Sequence, residues 1–343
     1  MNILDLPDDI LEAIVDTWEP RPYDYFGDWP GQAPQLFLRP LLMLGSVCRR
    51  WRIRVFPYLF RQIYVIDTAR TQPHHLPAFL IAHKTIACVV RSLIFSHNAL
   101  DCHTLYALSD TQLLPALTRV VFDFAGVVPS ALLTVPRNLP LHVPMVGQGL
   151  LVQDLVIHTS SNSELVRDAL RASAVVLGCY NRIGNLKLLG GSDWTAPRDF
   201  TLADDNSGGN DLSNLRFPII EDIDVGPAAP NLLCLLKQWT TPPHITCLDI
   251  ASDHSTSLQD INMILCMISD TLVHLNLRIS WNWDPHPASL DPDEIKSRES
   301  TRLIFCTTQS MQYLSVSICL VDMESNNFSC KSKLTYLYFT FNL

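Results

Sequence analysis

The chain has 343 residues, 48% of them hydrophobic, with 34 acidic against 25 basic side chains and a formal charge of −9. That apolar fraction excludes a disordered chain and suffices for one large domain or two unequal ones, while the acidic balance disfavours a polyanion across most of the surface. Ten cysteines without a C-x-x-C pair exclude a zinc ribbon or dithiol motif and read as buried thiols. The first stretch, "MNILDLPDDI", carries acids where a secretory leader would be basic and then apolar, so no export is expected. From Pro7, "LPDDILEAIVDTW" predicts a helix, with Asp8, Asp9 and Glu12 at the positive end of its dipole. Ile10, Leu11, Ile14, Val15 and Trp18 fall on one face of it. Between Glu19 and Pro40 five prolines and five aromatics predict an insert with no continuous helix. A second helical stretch is predicted from Leu41, loosening at Gly45 and running through Val47, Cys48, Trp51 and Val55 to Pro57, with Leu59, Phe60 and Ile63 closing the segment. Three short helices form a very small core, so an apolar face on them is expected to need a partner.

The residues "LPDDILEAIV", "LLMLGSVCRRW" and "YLFRQI" resemble the F-box family, in its order of Leu-Pro with an acidic residue and Ile-Leu, then Val-Cys-x-x-Trp, then Leu-aromatic. The resemblance spans Leu4 to Val65 and departs from the family in its long insert, 19–40. It implies docking on the small Skp-type adaptor of cullin-RING ubiquitin ligases, through Leu6, Pro7, Ile10, Leu11, Ile14, Leu41, Leu42, Val47, Cys48, Trp51, Leu59 and Phe60. Trp51 would be the aromatic anchor, and Arg49, Arg50, Arg52, Arg54 and Arg61 a charged rim. Those arginines could also be read as a phosphate-binding stripe, which the acidic chain disfavours.

Beyond the helices, apolar residues recur at offsets 0, +3 and +5. They are Val90/Leu93/Phe95, Leu117/Val120/Phe122, Val152/Leu155/Ile157, Ile183/Leu186/Leu188, Ile220/Ile223/Val225, Ile245/Leu248/Ile250, Leu272/Leu275/Leu277, Met311/Leu314/Val316 and Leu334/Leu337/Phe339. The spacing, roughly 23 to 39 residues, leaves room for a strand and a returning helix. "SELVRDALRASAVVL", "NLLCLLKQW", "LQDINMILCMI" and "DPDEIKSRESTRLIF" have helical patterns between the strands. The pattern resembles a degenerate leucine-rich repeat. The expected fold is therefore mixed α/β: an F-box-like domain over 1–66 containing the insert, a connecting segment over 67–88, and a βα solenoid with parallel strands over 89–343.

Offsets +2, +4 and +6 would then face outward. They carry Arg119 and Asp123, Asp154 and His158, Asn185 and Lys187, then Asp222, Asp224, Asp249, His274, Asn276, Arg278, Tyr313, Tyr336 and Tyr338, an acidic middle and a tyrosine end expected to hold a target protein. Asp222, Asp224 and Asp249 are expected to form one repulsive patch that a basic ligand would relieve. "SWNWDPHP" places Trp281 and Trp283 in an apparent loop. No phosphate loop, dinucleotide spacing or G-x-S-x-G elbow is present, and His74-His75 and "EDIDVG" lack the further ligands a metal needs. The longest uncharged run, Leu303 to Val321, is too polar for a membrane span. The expectation is a cytoplasmic and/or nuclear, non-catalytic substrate receptor, with no cofactor, metal, nucleic acid or membrane partner. A repeat scaffold acting without ubiquitin transfer is the alternative.

Overall fold

The computed structural model describes residues 7–17, 33–65, 75–95, 104, 108, 113–124, 151–159, 163–190, 218–225, 229–237, 244–252, 258–283, 313–322 and 334–342. The predicted helix over "DPDEIKSRESTRLIF" lies outside them, as do Leu6 and Trp18. Three helices come first: α1 (Asp8–Thr17), α2 (Ala33–Val47) and α3 (Arg49–Phe60). Two expectations are corrected here. The second helical stretch breaks at Cys48, not Gly45: Cys48 is extended (φ −161°, ψ 173°), and its carbonyl accepts the first bond of α3 from the Arg52 N–H, at 3.0 Å. Prolines, in turn, do not end these helices. Although an interior proline removes one backbone bond and costs about 3 kcal/mol, α2 begins inside the presumed insert and passes Pro40, while α3 passes Pro57. The last turn of α3 is held by packing, because Phe56 and Phe60 lie against the core of the sheet that follows.

That sheet has ten strands among the described residues, lying side by side in chain order. They are β1 (Gln62–Val65), β2 (Ser92–Phe95), β3 (Arg119–Phe124), β4 (Leu151–Thr159), β5 (Arg182–Leu189), β6 (Ile219–Val225), β7 (Ile245–Ser252), β8 (His274–Trp283), β9 (Tyr313–Asp322) and β10 (Leu334–Asn342). All pairings from β1 to β9 are parallel, as a βα solenoid requires. The strands begin earlier than the first apolar triplet suggested, since Ile63, assigned to the helical segment, belongs to β1. Trp281 and Trp283, expected in a loop, extend β8. β10 is antiparallel to β9, against the expectation of parallel strands throughout. Residues 323–333 between them are fewer than the dozen or more that a parallel crossover takes.

Helices α4 (His75–Ala82), α5 (Lys84–Ala87), α6 (Ser163–Gly178), α7 (Ala229–Leu236) and α8 (Leu258–Ile268) return the chain between strands. The 0, +3, +5 triplets from Val90 to Leu277 face these helices and are buried, apart from the half-buried Leu117. Phe95, Phe122 and Phe124 stack through this core, with ring centres 5.1 and 5.9 Å apart. Residues 172 to 177 of α6 are all buried, so the helix is enclosed on every side there and not along a single stripe. Adjacent repeats are also joined by side chains. Thr246 donates to the Glu221 carbonyl at 2.6 Å and Thr271 to that of Ile245 at 3.0 Å, while the buried Asn231 amide reaches past the β5 repeat to donate to Thr159 at 2.9 Å. Gly184 is required where β5 passes β4, because a Cβ there would meet the Gln153 carbonyl oxygen at 2.8 Å.

Candidate functional site

The three-helix module has its own core, formed by Leu11, Val15, Leu41, Trp51 and Val55, with Ile14, Leu44, Cys48, Tyr58 and Leu59 packed around it. This divides the expected adaptor contacts. Leu11 and Leu41 are fully buried and Trp51 is 1% exposed, so the tryptophan is the centre of the module and no anchor for a partner. It is the largest fully buried side chain among the described residues, so its ring fills most of that small core. Ile14, Cys48 and Leu59 support this core, and Phe60 packs on the sheet core instead. The outward residues are Pro7, Ile10, Leu42 and Val47. Ile10 is 44% exposed, Leu42 58% and Val47 50%, and Met43 and Ile53, which the motif did not point to, are 64% and 61% exposed. Helical spacing contained the signal for Met43, four residues before Val47.

The arginines are likewise reassigned. Arg50 donates from Nε to Asp8 at 2.9 Å, and Arg54 pairs with both Asp8 and Glu12. These hydrogen bonds hold the Asp8 carboxyl below its usual range and tie α3 to α1. Arg52 reaches the Gly45 carbonyl at 3.3 Å. The rim is therefore partly a clasp between helices.

On the sheet, side chains at +2 and +4 line up in rows across the strands. One row runs Arg119, Asp154, Asn185, Asp222, Cys247, His274, Tyr313; the next includes Lys187, Asp224, Asp249, Asn276. Arg278 lies on the same face one step further along β8, and register places Tyr336 and Tyr338 of β10 beside Cys319 and Ser317. For β9 and β10 only the backbone is described. The three aspartates do converge, with Asp224 directly opposite Asp249. They are not a bare acidic patch, however. Arg278 lies 3.0 Å from Asp249 and 3.6 Å from Asp224, Lys187 lies 3.8 Å from Asp224, and the Asn276 amide donates to Asp249 at 2.9 Å. The chain's own cations answer two of the three charges. Asp222 makes no ion pair among the described residues; partial burial, then Asp224 and Asp249, push its carboxyl above the usual range. Asp123, expected outside, is buried under His158, whose Nδ1 is 3.1 Å away. Burial beside β4 leaves that imidazole as its partner at the surface.

Asp222, Cys247 and His274 are neighbours in one row, yet partial burial raises the Cys247 thiol, which stays protonated and a poor nucleophile. Burial similarly pushes the Cys234 thiol up to about 11. Among the described residues no three His, Cys, Asp or Glu side chains are placed to hold a metal ion, and no helix is long and apolar enough to cross a membrane. Neither a protein-family model nor a curated protein sequence matches the chain.

Proposed function

We propose that the chain is a non-catalytic substrate-recognition subunit of a Skp–cullin–F-box ubiquitin ligase, with α1–α3 as an F-box-like module and the polar sheet face as the target-binding surface. One observation carries the reading. A module with an internal core of its own still carries Ile10, Leu42, Met43, Val47 and Ile53 exposed, as a module that docks on a partner would. The order of the F-box-like motif supplies the chemistry of that partner. The chain would act by effective concentration, holding the target beside activated ubiquitin so that transfer becomes nearly intramolecular. Engagement of Arg50 and Arg54 with Asp8 and Glu12 leaves fewer cations for phosphates, which supports a protein partner over a nucleic acid.

The test is affinity capture of the full chain from eukaryotic cells beside a Leu42→Asp, Val47→Asp variant. Adaptor and cullin captured with the native chain and lost from a folded variant are expected. Adaptor without cullin would instead support a scaffold acting without ubiquitin transfer, and absence of adaptor would overturn both readings.

A further inference from the structure

The two ends of the sheet are finished differently. At the first, β1 is four residues long and follows directly from α3, whose Phe56 and Phe60 pack on the sheet core. At the other, β10 pairs with β9 over nine consecutive positions without a bulge, and no strand pairs with its outer edge among the described residues. Sheet edges are normally blunted by shortness, charge, proline or a bulge. The sequence of β10, LTYLYFTFN, has no charged residue, proline or glycine.

We infer that β10 is a self-association edge, and that two copies of the chain pair through it antiparallel about a twofold axis at Tyr338. Three features favour a second copy over another occupant. A twofold axis at a sheet edge makes the meeting strands antiparallel, and a nine-residue antiparallel pairing supplies about nine main-chain hydrogen bonds, close to the roughly ten of a typical interface. An uncharged strand meets its own copy without like-charge repulsion. The register also continues both faces: Leu337, Phe339 and Phe341 pair with Ile318, Val316 and Leu314 in the core-facing rows, and across the axis Leu337 comes opposite Phe339 of the second copy and Phe341 opposite its Thr335. The two polar faces would join at the tyrosines. A discrete dimer results, because the twofold uses up both edges.

The axis at Tyr338 places Tyr336 opposite Thr340 of the second copy, which makes the inference testable by charge exchange. The native full chain is expected to sediment as a dimer at tens of micromolar. Tyr336→Lys with Thr340→Lys, and separately Tyr336→Glu with Thr340→Glu, should each sediment as a monomer, while an equimolar mixture of the two should recover the dimer. That recovery also shows both variants folded. A native monomer, a dimer indifferent to the substitutions, open-ended association, or a mixture that stays monomeric would each overturn the assignment. The outcome is independent of adaptor capture, so this inference and the proposed function fail separately.

Discussion

The three-helix module and the sheet bury their apolar residues to very different extents. Among the described residues, the sheet core runs from Val65 to Leu277 with its triplets inside, whereas the module encloses five apolar side chains and leaves as many large ones exposed. Size explains the first half of this, since a small unit has too little chain to cover every face. It does not explain why Leu42 and Met43 are apolar when lysine or glutamate would serve a solvated helix position better. The sheet teaches the converse. Its outward rows hold polar side chains over β5 to β8, where Lys187, Arg278 and Asn276 answer Asp224 and Asp249, a matching that the apolar residues on the module's surface lack.

Substitutions can break this contrast or sharpen it. The largest effect is expected from Trp51→Ala, a loss of about 3 to 5 kcal/mol concentrated in a five-residue core. Hydrogen exchange should show α1, α2 and α3 unprotected while β4 to β8 keep their protection; equal loss in both would mean that the two cores are one unit. Gly184→Ala should cost about 1 to 3 kcal/mol, because its Cβ meets backbone and β4 must move. Denaturant melts should place that loss in the sheet, with the module's exchange rates unaltered. Leu42→Asp with Val47→Asp, on the surface, should leave stability within about 0.5 kcal/mol and change only partner capture, as a calorimetric melt would verify.

The smallest effect concerns Asp222. Its carboxyl is raised in the folded chain, so the folded state binds the proton more tightly, and stability falls as pH rises through the shifted range. Asp222→Asn should therefore stabilise the fold slightly at pH 7, by less than about 0.5 kcal/mol given solvent screening and seen as a small rise in melting temperature, and give no gain below about pH 4. Asp224→Asn and Asp249→Asn should show no such gain, since each gives up contacts with Lys187 or Arg278.

The difference among these aspartates marks what could be read from sequence. Strands and their faces were accessible because a period of two with a fixed triplet survives any packing detail; Leu155, Leu186 and Ile223 lie inside for that reason. Helix existence was accessible too, from the same periodicity. Helix boundaries were not. Pro40 and Pro57 are tolerated because of neighbours distant in sequence, and the break at Cys48 follows from how α3 turns Trp51 inward. Site assignments failed where they depended on which side of a small core a residue faces. Trp51 and Leu42 are both apolar and on adjacent helices, and only packing separates the internal one from the external one. The ion pairs of Arg50 with Asp8 and of Arg278 with Asp249 bridge residues that local sequence does not relate.

Helix α3 belongs to both cores: Trp51 and Val55 face the module, and one turn later Phe56 and Phe60 face the sheet. A linker would let two bound proteins diffuse over a volume set by its length, diluting each in the other's surroundings. A continuous helix with each end embedded removes that volume. A partner docked on the module, as proposed, would be held at a set bearing from a target on the sheet, and a glycine pair inserted between Val55 and Phe56 would turn a ruler into a tether.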